Sequence, residues 1–228
     1  MPGRAYTVMT SLLLCAENQC VVRHSTYAHT VTINEPRRTP RQRRSRDTVD
    51  TLVEAAAQVF SREGMTATTN RIAARAGLSI GTLYQYFPDK VALLRAVAHR
   101  HVRDADRRLT EVFDRLREQD APFEETMRTL LDAVVDVHRD RPRLHALLHR
   151  MMPADPAELT ELQALEDRIC DEVAFHLKRC DRGGEDPELT ARTVVHTVDA
   201  QLHRVMTRHG FDVDTLTRTV SLLAPPPG

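Results

Sequence analysis

Two short helical segments separated by one glycine set the fold of this chain. Thr68 or Thr69 caps a first helix that runs to Ala76 and ends at Gly77. Ser79 caps a second, over 80–87, which Pro88 terminates. The apolar residues that would pack the two helices together are Ile72, Ala73, Ala76, Leu78 and Leu83. This spacing predicts a helix-turn-helix, in which the second helix enters the major groove of DNA.

Longer helical patterns flank this unit. Val49, Leu52, Val53, Ala56 and Phe60 recur at helical spacing, and Gly64 ends their helix. Asp89 caps a helix that either continues to Leu116 or breaks near 103–106. Further helical patterns lie at about 123–138, 142–151, 157–180, 187–208 and 212–223. The sequence therefore predicts an all-α fold, with a three-helix helix-turn-helix domain at 46–92 and a second helical domain at 93–223.

The first 45 residues lack this regularity. Residues 1–36 show no clear helical period, which fits either a disordered extension or a start codon chosen too early. The segment 37–46 contains six arginines, one proline and no acid, so we expect no packed element there. It is either a solvated basic linker or an arm that lies along phosphates or in the minor groove. On the second interpretation, Arg43, Arg44 and Arg46 contact DNA.

Composition limits the partners and the compartment. Lys and Arg number 32, as do Asp and Glu, so any DNA-binding surface must come from local clustering. The four cysteines form no disulfide framework, which indicates a reducing compartment. The apolar run 8–15 is too short to span a bilayer and precedes no small-residue cleavage site. We expect a cytoplasmic protein that does not enter the membrane.

Polar side chains on the second short helix are candidates for DNA contacts. Two tyrosines and a glutamine on so short a helix are difficult to explain as core. Gln85 can pair with adenine, whereas hydroxyl groups suit phosphates. Lys90, at the start of the next helix, is placed to bind a phosphate. Tyr86 fits either core or DNA, and for Phe87 we prefer the core. The candidates on and near this helix are Ser79, Ile80, Thr82, Tyr84, Gln85, Tyr86 and Lys90.

The run from Thr69 to Lys90, TNRIAARAGLSIGTLYQYFPDK, resembles the DNA-binding signature of the TetR (tetracycline-repressor-like) family. The upstream helix, with Ala55-Ala56-Ala57, Phe60 and Gly64, is similar as well, so the resemblance covers about residues 46–100. The loop before Ile72 is one residue shorter than the usual spacing, which leaves the cap and phosphate contact between Thr68 and Thr69 open. Thr69 and Asn70 join the candidate DNA contacts.

The resemblance implies a homodimer whose two DNA-reading units lie about one DNA turn apart on a palindromic operator. It also implies that the second domain binds a small-molecule ligand and that its last two long helices, near 157–180 and 187–208, form the dimer interface. Apolar stripes run along both helices. They comprise Leu159, Leu162, Leu165, Ile169, Val173 and Leu177 on one, and Leu189, Val194, Val195, Val198, Leu202 and Val205 on the other. Such stripes show only that each helix buries a face.

A ligand pocket would draw on apolar residues between 90 and 151, each of which fits an ordinary core equally well. These candidates are Phe113, Phe123, Met127, Leu131, Val134, Leu144, Leu148 and Met151. They would favour an apolar ligand.

His145 and His149, spaced i, i+4, can in principle hold a metal. No cysteine or carboxylate completes a motif there, so a polar helix face explains the pair better, and we predict neither metal nor cofactor. The chain also lacks a glycine-rich phosphate loop, a nucleophile elbow and unusual paired carboxylates. We therefore expect a protein that is not an enzyme, and the family resemblance implies a ligand-responsive repressor. An architectural DNA-binding protein, or a regulator without a ligand, is the alternative.

Overall fold

The computed structural model describes residues 43–151 and 156–227. Within these ranges the chain is helical and has no strand, and none of its helices is long and apolar enough to cross a membrane. A 3-10 helix occupies Gly64–Thr66 and a π-helix occupies Gln201–Met206. The α-helices are α1 (Arg43–Glu63), α2 (Thr69–Ala76), α3 (Ile80–Tyr86), α4 (Lys90–Glu118), α5 (Phe123–Asp140), α6 (Pro142–Met151), α7 (Pro156–Arg179), α8 (Pro187–Ala200), α9 (Thr207–His209) and α10 (Val213–Leu223). The all-α prediction is confirmed.

The first helix begins earlier than the sequence pattern predicts. Arg43, Arg44 and Arg46 form the first turn of α1, whereas we expected them in an unpacked arm. No helix-breaking residue follows Pro40, and arginine is a good helix former, so the helix extends beyond its apolar stripe. The Thr48 hydroxyl donates to the Arg44 carbonyl oxygen at 2.8 Å, as is common within helices. The rest of the predicted extension, residues 1–42, lies outside the described residues.

The N-terminal core is built by α1 to α4 together with α6. Phe60, Ile72, Leu83 and Leu93 are its most deeply buried large side chains, with exposures of 1% or less. The α6 helix contributes three leucines to the same core, Leu144, Leu147 and Leu148. The core that supports α3 therefore extends beyond the predicted domain limit at residue 92, because α6 folds back against α1.

The C-terminal core joins α4, α5, α7, α8, the π-helix and α10. The α4 helix is continuous over 29 residues, so the unbroken alternative is the correct one. Its first part, through Ala98, packs in the N-terminal core, and its second part, from Ala105, packs in the C-terminal core. One rigid helix thus connects the two cores, and it begins directly after α3.

Candidate DNA-binding surface

The turn between α2 and α3 is fixed by backbone hydrogen bonds at Gly77. This glycine adopts a left-handed conformation, with φ of 69°. Its N–H donates to the Ala74 carbonyl at 3.1 Å, and the Leu78 N–H donates to the Ala73 carbonyl at 3.0 Å. This is a Schellman motif, in which a residue without a Cβ avoids the strain of positive φ. The predicted glycine turn is confirmed.

Side-chain caps fix the start of each helix in this unit. The Thr68 hydroxyl accepts from the Arg71 N–H at 3.3 Å, so Thr68, and not Thr69, caps α2. The Ser79 hydroxyl accepts from the Thr82 N–H at 3.0 Å, and the two hydroxyls lie 2.9 Å apart. The Asp89 carboxylate accepts from the Ala92 N–H at 2.8 Å and caps α4. These caps position α3 without using Tyr84 or Gln85.

The two faces of α3 differ in burial as the sequence predicts. Leu83 is completely buried, whereas Ile80, Tyr84 and Gln85 are exposed. Ser79 is also exposed and Thr82 is half-buried. A helix held by one buried leucine and by caps at its ends presents its opposite face to the solvent, where a base edge or a phosphate can reach it.

Tyr84 connects α3 to the start of α2. Its side chain is 43% exposed, and its hydroxyl lies 3.1 Å from the Thr69 hydroxyl. Asn70, the next residue, is exposed. The structure therefore brings Thr69, Asn70 and Tyr84 to one polar patch, where hydroxyl and amide groups suit phosphate oxygens.

Three residues on and near α3 serve the fold. Tyr86 is half-buried and packs against the N-terminal core, so its ring contributes to packing. Phe87 is 2% exposed, which agrees with its assignment to the core. The Lys90 ammonium donates to the Met65 carbonyl oxygen at 2.7 Å and ties α4 to the 3-10 helix. An ammonium group has two further donors, so contact with a phosphate stays a prediction.

The segment that contains α2 and α3 carries basic but no acidic side chains. No acidic residue occurs between Glu63 and Asp89, whereas Arg71 and Arg75 lie within α2 and Lys90 follows α3. Arg71 is paired with Glu63, at 2.7 Å between guanidinium and carboxylate. Arg43, Arg44 and Arg46 are exposed at the start of α1. A neutral chain thus acquires locally the basic surface that phosphates require. The acid-free stretch is visible in the sequence and would have strengthened the prediction.

A network of charged residues links α1 to the helices that follow the DNA-reading unit. The Glu54 carboxylate on α1 accepts from Arg141 and from Gln58, at 2.7 and 2.9 Å, and Arg100 of α4 lies 3.6 Å away. Burial alone would raise the pKa of Glu54, but the hydrogen bonds from Arg141 and Gln58 and the nearby positive charges outweigh it and lower the pKa. Glu54 therefore stays ionised.

Two clefts adjoin this network. The outer cleft, about 360 Å³, lies among α1, α2 and α4, and the inner cleft, about 240 Å³, lies among α1, α4, α5 and α6. Glu54 and Arg100 line both. The inner cleft is also lined by Arg108, Asp140 and Arg141, so a polar ligand would suit it better than an apolar one.

The predicted pocket residues divide mainly between the two cores in the part of the chain that the structure describes. Val134 lies at the edge of the C-terminal core, Leu144 lines the inner cleft, and Leu148 lies in the N-terminal core. Met151 is 39% exposed at the end of α6. The remaining candidates are buried in the C-terminal core: Phe113, Phe123, Met127 and Leu131. They pack there as ordinary core residues.

The apolar stripes of α7 and α8 are only partly covered. Leu165, Val173, Val194 and Val198 are buried where the two helices pack into the C-terminal core. Other large apolar side chains on these helices and on the π-helix stay exposed in the single chain: Leu162 (38%), Phe175 (39%), Leu189 (61%) and Val205 (51%). Exposed apolar side chains on paired helices are typical of protein interfaces.

Sequence reasoning missed a cluster of histidines. His101, His138, His145 and His203 come from four different helices and meet with ring centroids 4.1 to 5.0 Å apart. Only the pair His145 and His149 was visible as a spacing on one helix. No sequence signal indicates that the other rings converge, because they lie up to about a hundred residues apart along the chain.

Family comparisons match the chain in both of its halves. A profile described as "Bacterial regulatory proteins, tetR family" matches residues 52–97. A second, described as "Tetracyclin repressor-like, C-terminal domain", matches residues 122–224. Among curated proteins, none is similar in sequence at a significant level.

Solved structures share the fold at low sequence identity. A tetR-family transcriptional regulator from Streptomyces coelicolor has a TM-score of 0.62 and 18% identity, covering 78% of this chain and 79% of its own. A TetR-like regulator from a Rhodococcus species has a TM-score of 0.57 and 24% identity, covering 82% and 96%. The regulator FadR from Bacillus subtilis, solved with stearoyl-CoA, has a TM-score of 0.58 and 17% identity, covering 78% and 99%.

The capped helix-turn-helix and the separate helical C-terminal core define a DNA-binding protein with a second, non-reading domain. With both family profiles matched, the chain belongs to the TetR family and is a DNA-binding transcriptional regulator.

Proposed function

We propose that the protein is a homodimeric repressor that binds a palindromic operator through α3 and is released from it by a small molecule. The proposal that α3 reads DNA rests on its exposed face. Tyr84 and Gln85 are exposed there, within a segment that contains no acidic residue. Neither side chain is needed to cap or bury the helix, which leaves both free to contact DNA.

The proposed roles follow from side-chain chemistry. Gln85 reads a base edge, because its amide both donates and accepts and so matches adenine. Tyr84, Thr69, Asn70, Ser79 and Thr82 contact phosphates and fix the register of α3. Ile80 packs against a thymine methyl group. Residues outside α3 add salt-dependent affinity, namely Lys90 and the arginines of the first turn of α1, Arg43, Arg44 and Arg46. Within α3, Tyr86 supports the helix from the core side.

Operator selection tests this proposal. We expect the purified protein to enrich a palindrome from a random DNA pool, and Gln85→Ala to weaken binding to it by about 5- to 150-fold, which corresponds to about 1–3 kcal/mol. Affinity is measured by fluorescence anisotropy at two salt concentrations. Gln119→Ala is the matched control, since Gln119 is exposed at the far end of α4.

Two results would contradict this assignment. Enrichment of no sequence, with weak and strongly salt-sensitive binding, would instead support an architectural DNA-binding protein. Equal affinities of Gln85→Ala and Gln119→Ala for the operator would remove Gln85 from the reading face.

The proposed dimer uses the exposed apolar residues of α7 and α8. Leu189, near the start of α8, is 61% exposed in the single chain. A Leu189→Glu variant would place a charge in the interface, where desolvation is costly. We expect it to sediment as a monomer at concentrations where the native protein is a dimer, and to bind the palindrome at least about 10-fold more weakly, because the second half-site contact is lost.

Leu222→Glu is the control for this variant. Leu222 is 82% exposed on α10, outside the helices that carry the proposed interface. If Leu189→Glu remained dimeric and Leu222→Glu dissociated, the interface would lie elsewhere.

Ligand response is the third part of the proposal. The similar regulator FadR was solved in complex with stearoyl-CoA, so this fold accommodates a small molecule in that protein. In this chain, α4 runs from α3 into the C-terminal core. A ligand that binds better to a different α4 orientation would therefore lower operator affinity, by the ratio of its affinities for that orientation and for the DNA-binding one. The selected operator provides the probe for an effector screen. That the protein is cytoplasmic and not an enzyme stays a prediction.

A further inference from the structure

The histidine cluster lies where the two cores meet. Its members are His101 on α4, His138 on α5, His145 on α6 and His203 in the π-helix. For three of them, His138, His145 and His203, one ring nitrogen each lies within 4.8 Å of the others. DNA reading and dimerisation give no reason to gather imidazoles at this point.

His138 brings an unpartnered ring nitrogen to the cluster. Its Nδ1–H donates to the Val134 carbonyl oxygen at 2.7 Å, so Nε2 is the unprotonated nitrogen of the neutral ring. The side chain is only 7% exposed, and Nε2 has no hydrogen-bond partner among the described residues. A buried acceptor without a hydrogen-bond partner is destabilising, so the atom requires an explanation.

His203 is oriented in the same way by a carboxylate. Its Nδ1–H is shared between the Asp199 carboxylate, at 2.9 Å, and the Asp199 carbonyl oxygen, at 3.0 Å. Its Nε2 is therefore also unprotonated and faces the cluster. A carboxylate or carbonyl on one ring nitrogen and a metal on the other is the usual arrangement around metal-binding histidines. The π-helix that carries His203 is a rare conformation that often occurs at functional sites.

His145 lies between two other imidazoles. Its Nε2 is 2.6 Å from Nε2 of His203, and its Nδ1 is 2.8 Å from Nε2 of His101. Because His203 Nε2 is unprotonated, the hydrogen of this contact belongs to His145, and His101 donates to His145 in turn. When a metal binds His145 Nε2, the proton of His145 moves to its own Nδ1 and is then donated to Nε2 of His101. The proton that His101 carried on Nε2 moves to Nδ1 of His101. No proton is gained or lost.

We propose that His138, His145 and His203 bind one divalent transition-metal ion through their Nε2 atoms. Three imidazoles suit zinc, copper, nickel or cobalt, whereas calcium and magnesium prefer oxygen ligands. Zinc fits best, with three nitrogens about 3.3 Å apart and a fourth position left open in a tetrahedral site. The Nε2 atoms of His145 and His203, which lie 2.6 Å apart, must then separate by about 0.7 Å through rotation of the rings.

The ion would join elements of both cores. His145 is carried by α6, whose leucines belong to the N-terminal core, whereas α5 and the π-helix belong to the C-terminal core. This inference goes beyond the proposed function and is tested without DNA. A second set, His149, Asp199 and His203, lies nearer the solvent and shares His203, so the experiment must distinguish the two.

Full-length, untagged protein, freed of metal with a chelator, is titrated with Zn²⁺ against a chromophoric competitor, and with Co²⁺ while visible absorption is recorded. We expect one equivalent to bind, with the intense absorption of tetrahedral Co²⁺. His138→Ala, His145→Ala and His203→Ala should each weaken Zn²⁺ binding by at least about 100-fold, more than loss of an outer-shell partner costs. His209→Ala, which removes an exposed histidine outside the cluster, should have no effect.

Circular dichroism checks that each variant is folded. If an alanine variant is not folded, His138→Gln is measured in its place. The proposal is overturned if the native protein binds Zn²⁺ no more tightly than His203→Ala. It is also overturned if His149→Ala abolishes binding while His138→Ala retains it, because the ion would then occupy the outer set.

Discussion

A Leu147→Ala variant is expected to lose about 2–5 kcal/mol of its free energy of unfolding, as for other fully buried leucines. Leu147 is 2% exposed and packs in the N-terminal core that supports α3. Truncation removes apolar burial and leaves a cavity, because α1 and α6 cannot close fully around the missing atoms. Urea denaturation followed by circular dichroism measures the change.

The effect should extend to DNA binding although α6 lies far along the chain from α3. Loosening of the N-terminal core frees the helices that hold Leu83 in place, so operator affinity should fall together with stability. Leu222→Ala, at an exposed site on α10, should change the free energy of unfolding by no more than about 0.5 kcal/mol. Equal stabilities of the two variants would mean that α6 is not part of this core.

Local features of the fold could be predicted because they depend on neighbours in the sequence. Ser79, Asp89 and Gly77 act through residues three or four positions away, and each has the predicted role. The packing of α6 depends instead on which distant surface its leucines meet. A helical apolar pattern shows that a face is buried but does not identify its partner, and the predicted domain limit at residue 92 therefore separated α6 from the core it completes.

The same difference between local and distant contacts explains which candidate sites could be predicted from the sequence. The exposed face of α3 could be predicted from one short helix, where Leu83 alone must be buried and Tyr84 and Gln85 follow it. The apolar pocket could not, because Phe, Met and Leu at helical spacing describe a filled core as well as a cavity. The histidine cluster requires four helices to be placed in space, and the i, i+4 pair of His145 and His149, which both stack on His203, lies on only one of them.

Glu172 provides the second large expected effect. Its side chain is 2% exposed on α7, and its carboxylate accepts from Arg117 at 2.7 Å and from Nε2–H of His176 at 3.0 Å. His176 is fully buried, and its Nδ1 accepts from Arg179 at 3.3 Å, which fixes the neutral ring with its proton on Nε2. A carboxylate in this position links α7 to α4 next to the surface that we propose forms the dimer.

Glu172→Ala is expected to cost about 2–4 kcal/mol of free energy of unfolding. The variant leaves the buried His176 N–H without an acceptor and creates a void. Arg117 is half-exposed and can be hydrated when its partner is removed, so the cost stays below that of a fully buried broken ion pair. Glu185→Ala, in the exposed loop before α8, is the control and should change stability by no more than about 0.5 kcal/mol.

The pH dependence separates the charge of Glu172 from its packing. Burial alone would raise the pKa of Glu172, but the hydrogen bonds from His176 and Arg117 outweigh it and lower the pKa below the usual glutamate value of 4.5. The folded state therefore binds fewer protons than the unfolded state, and this contribution is complete above pH 4.5 and is lost as the pH falls through the lowered value. Glu172→Gln keeps the shape without the charge, so its stability deficit relative to the native protein should be largest near pH 7 and should shrink below pH 4.5. A deficit that stays constant across that range would show that the interaction depends on shape and hydrogen bonding, and not on charge.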